Sequence, residues 1–175
     1  HGNTNSLYAN SGEFYRAANG YPVGYFWGLR TAGVFQTEAE VSTYKNKTGK
    51  LIQPDAQPGD LRYVDINEDG VIDNNDRTQI GDPNPDFLYG FNVSLDYKGF
   101  DFFVQASGVT GNQLVKSWRG PGGRGNYTAE ILDRWTGPGS SNKIPRVTED
   151  GKNWAQFSDL YVYDGSYMRI STITL

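Results

Sequence analysis

Oxygen-bearing side chains occupy positions 1, 3, 5, 9 and 12 of the stretch Asp65 to Asp76, DINEDGVIDNND, and Gly70 stands at position 6. A hard cation such as Ca2+ needs several oxygen ligands around one point, and a chain converges them only by turning sharply, which a glycine permits. The spacing assigns side-chain oxygens to Asp65, Asn67 and Asp69, the backbone carbonyl to Val71, a direct or water-bridged contact to Asp73, and the closing carboxylate to Asp76. Ile72, at position 8, would point away and anchor the loop. Asp76 stands where the EF-hand pattern has a longer glutamate, which leaves coordination number open. The competing reading is an Asp/Asn/Gly-rich surface turn with no metal.

Composition narrows the elements that must hold this loop. Twelve Tyr, nine Phe and four Trp accompany 22 Gly in 175 residues, yet mean hydropathy is −0.62. Aromatic mass in a polar, glycine-rich chain suits β-structure with long loops. No run approaches the roughly 20 apolar residues of a membrane-spanning helix. A β-barrel stays open, because its strands need only about ten residues of alternating polarity. The net charge of −4, without a long basic run, disfavours nucleic acid as a partner. The lack of cysteine excludes disulfides, thiolate chemistry and Cys-type zinc sites. The one histidine is His1, so no His-based catalytic dyad can form. No signal peptide opens the chain, and it stops at Ile173-Thr174-Leu175 inside an apparent strand, so a fragment of a longer protein is expected.

Along the chain, the polar lead-in His1 to Gly20 reads as irregular or weakly extended. Tyr21 to Phe35, punctuated by Gly24, Gly28 and Gly33, reads as a bent strand. Thr37 and Glu40 have capping-box spacing and predict a helix over Glu38 to Lys45. Asn46 to Gly59 reads as a loop and Leu61 to Val64 as a brief strand. The clearest period-two pattern sets Phe87, Tyr89, Phe91, Val93, Leu95 and Tyr97 against Leu88, Gly90, Asn92, Ser94 and Asp96. A turn at Lys98-Gly99 and a second strand, Phe100 to Gly108, complete an antiparallel hairpin. One helix, Ala129 to Trp135 behind Thr128, interrupts the Gly/Pro-rich stretch that follows. A last strand starts near Tyr167. Its apolar phase slips between Met168/Ile170 and Ile173/Leu175, which signals a bulge. The expected division is a calcium-type loop region at 60–86, a hairpin at 87–108, a long loop at 109–166 and a strand at 167–175. The fold class is all-β, antiparallel, with short helices in loops. A soluble sandwich and an outer-membrane barrel both fit the alternation. In the barrel, Phe87, Tyr89 and Tyr97 would lie at the interfacial girdles.

Specific motifs favour the barrel. GYPVGYFWG at Gly20 to Gly28, Gly33-Val34-Phe35, QPGDLRYVD at Gln57 to Asp65, the DINEDGVIDNND loop and RTQIGDPNPDF at Arg77 to Phe87 resemble the C-terminal part of SusC/RagA-type TonB-dependent outer-membrane transporters. Tyr97-Lys98-Gly99-Phe100-Asp101, Gly108 to Asn112, Asp133-Arg134-Trp135-Thr136, Ile144-Pro145-Arg146 and Ser158 to Arg169 extend the resemblance in the same order. It implies part of a 22-stranded barrel in the outer membrane of a Bacteroidetes-type bacterium. Its partners would be a SusD-type lid lipoprotein, TonB through a region outside this chain, and oligosaccharide or peptide cargo. Lys98-Gly99 would then be a periplasmic turn and the calcium-type loop extracellular. Trp118, Arg119, Arg124 and Tyr127 become candidate cargo or lid contacts, unless these side chains only pack their own loop. A different class of function is a calcium-stabilised extracellular β-module for adhesion or scaffolding, although a dockerin uses two such loops. A glycosidase would need a carboxylate pair, and no spacing selects one.

Overall fold

The computed structural model describes residues 15–116 and 128–175, together with the backbone of Tyr8–Ala9. Among them the elements are β1 (Tyr8–Ala9), β2 (Tyr15–Ala17), β3 (Tyr25–Leu29), β4 (Thr31–Val34), α1 (Glu38–Thr43), β5 (Leu61–Tyr63), β6 (Arg77–Gly81), β7 (Phe87–Tyr97), β8 (Phe100–Thr110), β9 (Gln113–Val115), α2 (Lys152–Ala155), β10 (Val162–Asp164) and β11 (Tyr167–Thr174). Every pairing between these strands is antiparallel. The all-β reading holds.

The longest strands form one sheet in the order β11-β8-β7. Tyr97 faces Phe100, and the two residues between them have φ of 48° at Lys98 and 86° at Gly99. Two consecutive positive φ values make the primed hairpin turn whose twist matches its flanking strands. From that turn the register runs unbroken to Phe87 opposite Thr110. Residues directly opposite share a face, so Phe91 sits beside Ala106, Val93 beside Val104 and Leu95 beside Phe102.

The bulge lies in β11, where Ile170 faces Ala106 and Thr172 faces Gln105, leaving Ser171 without a partner. The sequence reading placed Met168 and Ile170 on one face and Ile173 on the other. The extra residue corrects this. It returns Ile173 to a position opposite Val104, so Met168, Ile170 and Ile173 all join the apolar side of the hairpin. That side remains bare among the described residues: Leu95 is 59% exposed, Ile173 62% and Phe100 73%. The reverse side carries Asn92, Ser94, Asp96, Gln105, Ser107, Arg169 and Thr172, with Leu88 and Phe103 among them.

The remaining strands make a second body with its own core. Leu29, Val34, Leu61 and Tyr63 from β3, β4 and β5 pack against Trp154, Phe157, Leu160 and Tyr161. The bent strand expected from Tyr21 to Phe35 is two strands, β3 and β4, separated at Arg30. Leu29 N donates to Phe157 O at 2.9 Å, so a distant segment takes the place of strand continuity. Helix α1 ends at Thr43, two residues early. Thr37 Oγ1 caps it from Glu40 N, while the Glu40 carboxylate reaches back to Gln36 N at 2.8 Å. The helix expected at Ala129 to Trp135 is a 3-10 turn over Ala129–Asp133, and Thr128 makes no side-chain cap. Strands β6, β9 and β10 and helix α2 were not legible as elements.

Both bodies meet at one end of the long sheet. Asp86 N donates to Thr110 O at 3.0 Å, Gln113 N to Asp82 O at 2.8 Å, and Gly165 N to Asn112 O at 2.9 Å. Strands β9 and β10 pair with each other just beyond β8 and β11, which themselves pair. The molecule therefore has one tight turn at Lys98-Gly99 and, at the opposite end of the sheet, a folded loop unit.

Candidate functional site

Strand β5 leads into the acidic loop and β6 leaves it, since Asp65 follows Tyr63 by two residues and Arg77 follows Asp76 directly. Gly70 has φ 86°, and a Cβ there would run into the Asn46 side chain. Only glycine fits both demands. Ile72 packs against the core of the loop unit, the anchoring role its position suggested.

Short-range hydrogen bonds wind the loop. Asp65 Oδ2 accepts from Gly70 N at 2.8 Å, Asn67 Oδ1 from Asp69 N at 3.0 Å, and Asp69 Oδ1 from Val71 N at 2.9 Å. Asp73 and Asp76 form a capping box around the 3-10 turn Asn74–Asp76, with Asp73 N donating to Asp76 Oδ2. Asp76 is fully buried, and its Oδ1 accepts from Ile66 N at 2.8 Å. Among the described residues, no three Asp, Glu or His side chains converge into a set that could hold a metal ion. The oxygens are hard donors in the right order, and Asp65 Oδ1 is a buried atom with no hydrogen-bond partner. Donor chemistry, the glycine turn and that orphaned oxygen fit a calcium loop. The saturated Asp76 carboxylate would have to exchange backbone donors for the ion.

A neighbouring turn docks on this loop. Asn46 Oδ1 accepts from Thr48 N and Lys50 N, both at 3.0 Å, and the Lys47 ammonium pairs with Glu68. Trp118, Arg119, Arg124 and Tyr127 lie outside the described residues.

Sequence reasoning missed a second polar centre. Asp60 is 2% exposed. Its carboxylate meets Arg146 Nε at 2.7 Å and Lys152 Nζ at 2.6 Å, and accepts from Gln57 N at 2.9 Å and Asn153 Nδ2 at 3.1 Å. Burial pushes the Asp60 carboxyl up. The hydrogen bonds from Arg146, Lys152, Asn153 and Gln57 outweigh it and hold the group below the usual carboxylate range. These partners lie as far as 93 positions away in the chain, so no local spacing could announce them. Close by, burial also pushes the Tyr63 hydroxyl above its ordinary range, and this hydroxyl has no partner. Tyr161 is pushed up to about 12 by burial, and its hydroxyl donates to Trp154 O at 2.7 Å.

No family model matches the chain. It is 31% identical over 160 residues to TonB-dependent receptor P26 of Formosa agariphila, covering 89% of this chain and 16% of that protein. TonB-dependent receptor P3 of the same organism is 35% identical over 158 residues, with 89% and 15% covered. TonB-dependent receptor P39 is 30% identical over 125 residues, with 67% and 12% covered. The chain thus spans about a sixth of the length of the relatives it matches. Its bare apolar sheet and folded loop unit are those of a chain homologous to one stretch of proteins named TonB-dependent receptors.

Proposed function

We propose that this chain is a stretch of a TonB-dependent outer-membrane nutrient importer of the SusC/RagA type, with no catalysis of its own. In this reading β7, β8 and β11 contribute to the wall of a 22-stranded barrel, with the Phe91/Val93/Leu95 side toward lipid and the Asn92/Ser94/Gln105 side toward the lumen. The bare apolar side of the long sheet carries the proposal. Strands of eleven residues match the length a tilted membrane strand needs. Apolar side chains left exposed on that scale are costly in water and neutral in hydrocarbon. The aromatic pair Tyr97 and Phe100 marks one edge of the band, and the stacked rings of Phe87 and Tyr89, 6.1 Å apart, mark the other. The whole importer would take oligosaccharide or peptide cargo beneath a SusD-type lid and draw energy from TonB. The loop unit would face the extracellular side and Lys98-Gly99 the periplasm.

The acidic loop is proposed as a structural calcium site held by Asp65, Asn67, Asp69, Asp73 and Asp76 with the Val71 carbonyl. A bound ion would cross-link β5 to β6 and rigidify the loop unit; it would supply no reaction chemistry.

The test is a pair of arginine substitutions in the full-length receptor. Val93→Arg is expected to impair barrel assembly by about 2 to 4 kcal/mol, the cost of an arginine on the lipid face near the bilayer midplane, and Ser94→Arg to be tolerated. Heat-modifiable mobility and outer-membrane yield read out both. The opposite order of severity would mean that the apolar side is buried against protein.

A further inference from the structure

Among the glycines of the described strands, Gly90 is the one that its own chain does not explain. Gly33 has φ 96°, and a Cβ at Gly28, Gly81 or Gly108 would come within 3.0 Å of a neighbouring atom. At Gly90 φ is not positive, and the nearest atom to a Cβ would be Ala106 O at 3.6 Å, an ordinary contact. The register of β7 on β8 passes this position without a bulge. Glycine inside a regular strand costs backbone entropy and packs nothing. Where no bulge or bend needs it, it marks the close approach of a ligand or of another backbone.

The row of the sheet that contains Gly90 says what approaches. Gly90 faces Ser107, and Ser107 faces Arg169 on its other flank, all three exposed on the polar side. Arg169 joins no ion pair among the described residues, and Ser107 Oγ has no hydrogen bond there. The positions beside Arg169 in register, Gln105, Val109, Tyr167 and Thr172, carry no charge. Asp96 and Asp101 are the acids of these three strands, and they face each other six positions along β8 from Ser107. That is about 20 Å, twice the roughly 10 Å over which exposed charges act at 0.1 M salt. At the loop-unit end, Asp86 packs over Gly111 and Asp164 Oδ1 accepts from Ser166 N at 2.8 Å. A bare guanidinium beside a free hydroxyl selects an anionic acceptor. The gap at Gly90, two strand spacings or about 10 Å away, leaves room for the rest of the molecule. Arg169 is the third residue of β11, close to the loop unit, where cargo entering from outside arrives first. We propose that the row Gly90–Ser107–Arg169 is a subsite for anionic cargo, with a carboxylate held by Arg169 and Ser107 and the body of the molecule lying over Gly90. The inference rests on the importer reading, which turns this side toward the lumen, and it names the charge class of what the importer takes.

Two sources share this chemistry, an acidic oligosaccharide and an acidic peptide. Calorimetric titration of the purified full-length receptor with trigalacturonate and triaspartate, against the neutral maltotriose and trialanine, distinguishes them. The expected result is saturable binding of at least one acid and binding of its neutral counterpart weaker by about tenfold or more. Preference between the two acids then names the source. Arg169→Gln is expected to weaken acid binding about tenfold and to melt as wild type. Gly90→Val keeps the charge, finds room for its Cβ, and is expected to fold and to weaken acid binding by filling the gap. No acid bound by wild type, equal affinity for acids and neutral probes, or undiminished binding in either variant would overturn the proposal. So would an Arg169→Gln receptor that melts well below wild type or fails to assemble, since the guanidinium would then serve a carboxylate elsewhere in the receptor. A receptor that shows the expected Val93/Ser94 order yet binds no acid loses this inference alone, whereas the reverse order removes the lumen itself.

Discussion

Asp60 joins three segments that the sequence keeps far apart. Removing its charge would strand Arg146 and Lys152, whose side chains are 27% and 34% exposed and so partly relieved by water. Asp60→Asn is therefore expected to destabilise the loop unit by about 3 kcal/mol, the lower end of the range for breaking a buried pair. The pH dependence follows from the direction of the shift. Asp60 has a folded-state pKa below its unfolded value of roughly 3.9, so its contribution is fully present above that value and is lost as pH falls through the lower folded one. Thermal melts of wild type and Asp60→Asn in detergent should differ most above about pH 4 and converge in stronger acid. A gap that stayed constant down to pH 2 would mean that the Asp60 charge is not what holds the segments.

At the scale of elements, the acidic loop connects β5 to β6 and carries the docked turn at Asn46 to Gly49. If calcium fills it, the ion must compete with the backbone donors that now hold Asp76, and its removal should loosen both the loop and that turn. Limited proteolysis of the intact receptor is expected to cut near Glu68 or Lys47 faster in EGTA than in calcium. Asp65→Ala should cut equally fast in both. Identical rates for wild type with and without the chelator would leave a metal-free surface turn. The elements differ in how far the sequence announced them. The hairpin β7-β8 was legible, with β8 running two residues past the expected Gly108 to Thr110, because a period-two pattern, a Lys-Gly turn and a second period-two pattern are all local signals. The bulge at Ser171 was legible as a phase slip, although its consequence for Ile173 required the partner strand. Strands β6, β9 and β10 were not legible. Each is short, and each exists because a distant segment supplies its hydrogen bonds: β6 lies on β3, and β9 on β10. The calcium-type ligand order was readable, but the arrangement of the carboxylates was not, because backbone N–H groups claim them first. Apart from the Gln57 N–H three residues away, the partners of the Asp60 centre come from distant segments.

The whole molecule combines a sheet whose apolar side is bare among the described residues with a loop unit that buries a core of its own. Monomeric soluble proteins rarely expose contiguous apolar patches beyond about 600 Å². Here Phe87, Phe91, Leu95, Tyr97, Phe100, Met168, Ile170 and Ile173 are each more than 40% exposed along one side of one sheet. Strands β7 and β11 are also its edges, with a row of N–H and C=O groups facing outward from each. Burial of Trp154, Phe157, Leu61 and Val34 gives the loop unit a core that needs no lipid. The 175-residue chain, refolded alone, is therefore expected to stay dispersed only in detergent above its micelle concentration, and to associate through the sheet when detergent is withdrawn. Light scattering across a detergent dilution series measures this, and hydrogen exchange locates it. In micelles, amides of β8, paired on both sides, should be the slowest of the sheet, and those of the loop-unit core should be protected at every detergent concentration. A monodisperse monomer in plain buffer, with β7 protected as well as β8, would show that the apolar side and its edge had found cover within the chain itself, and the membrane assignment would fall with it.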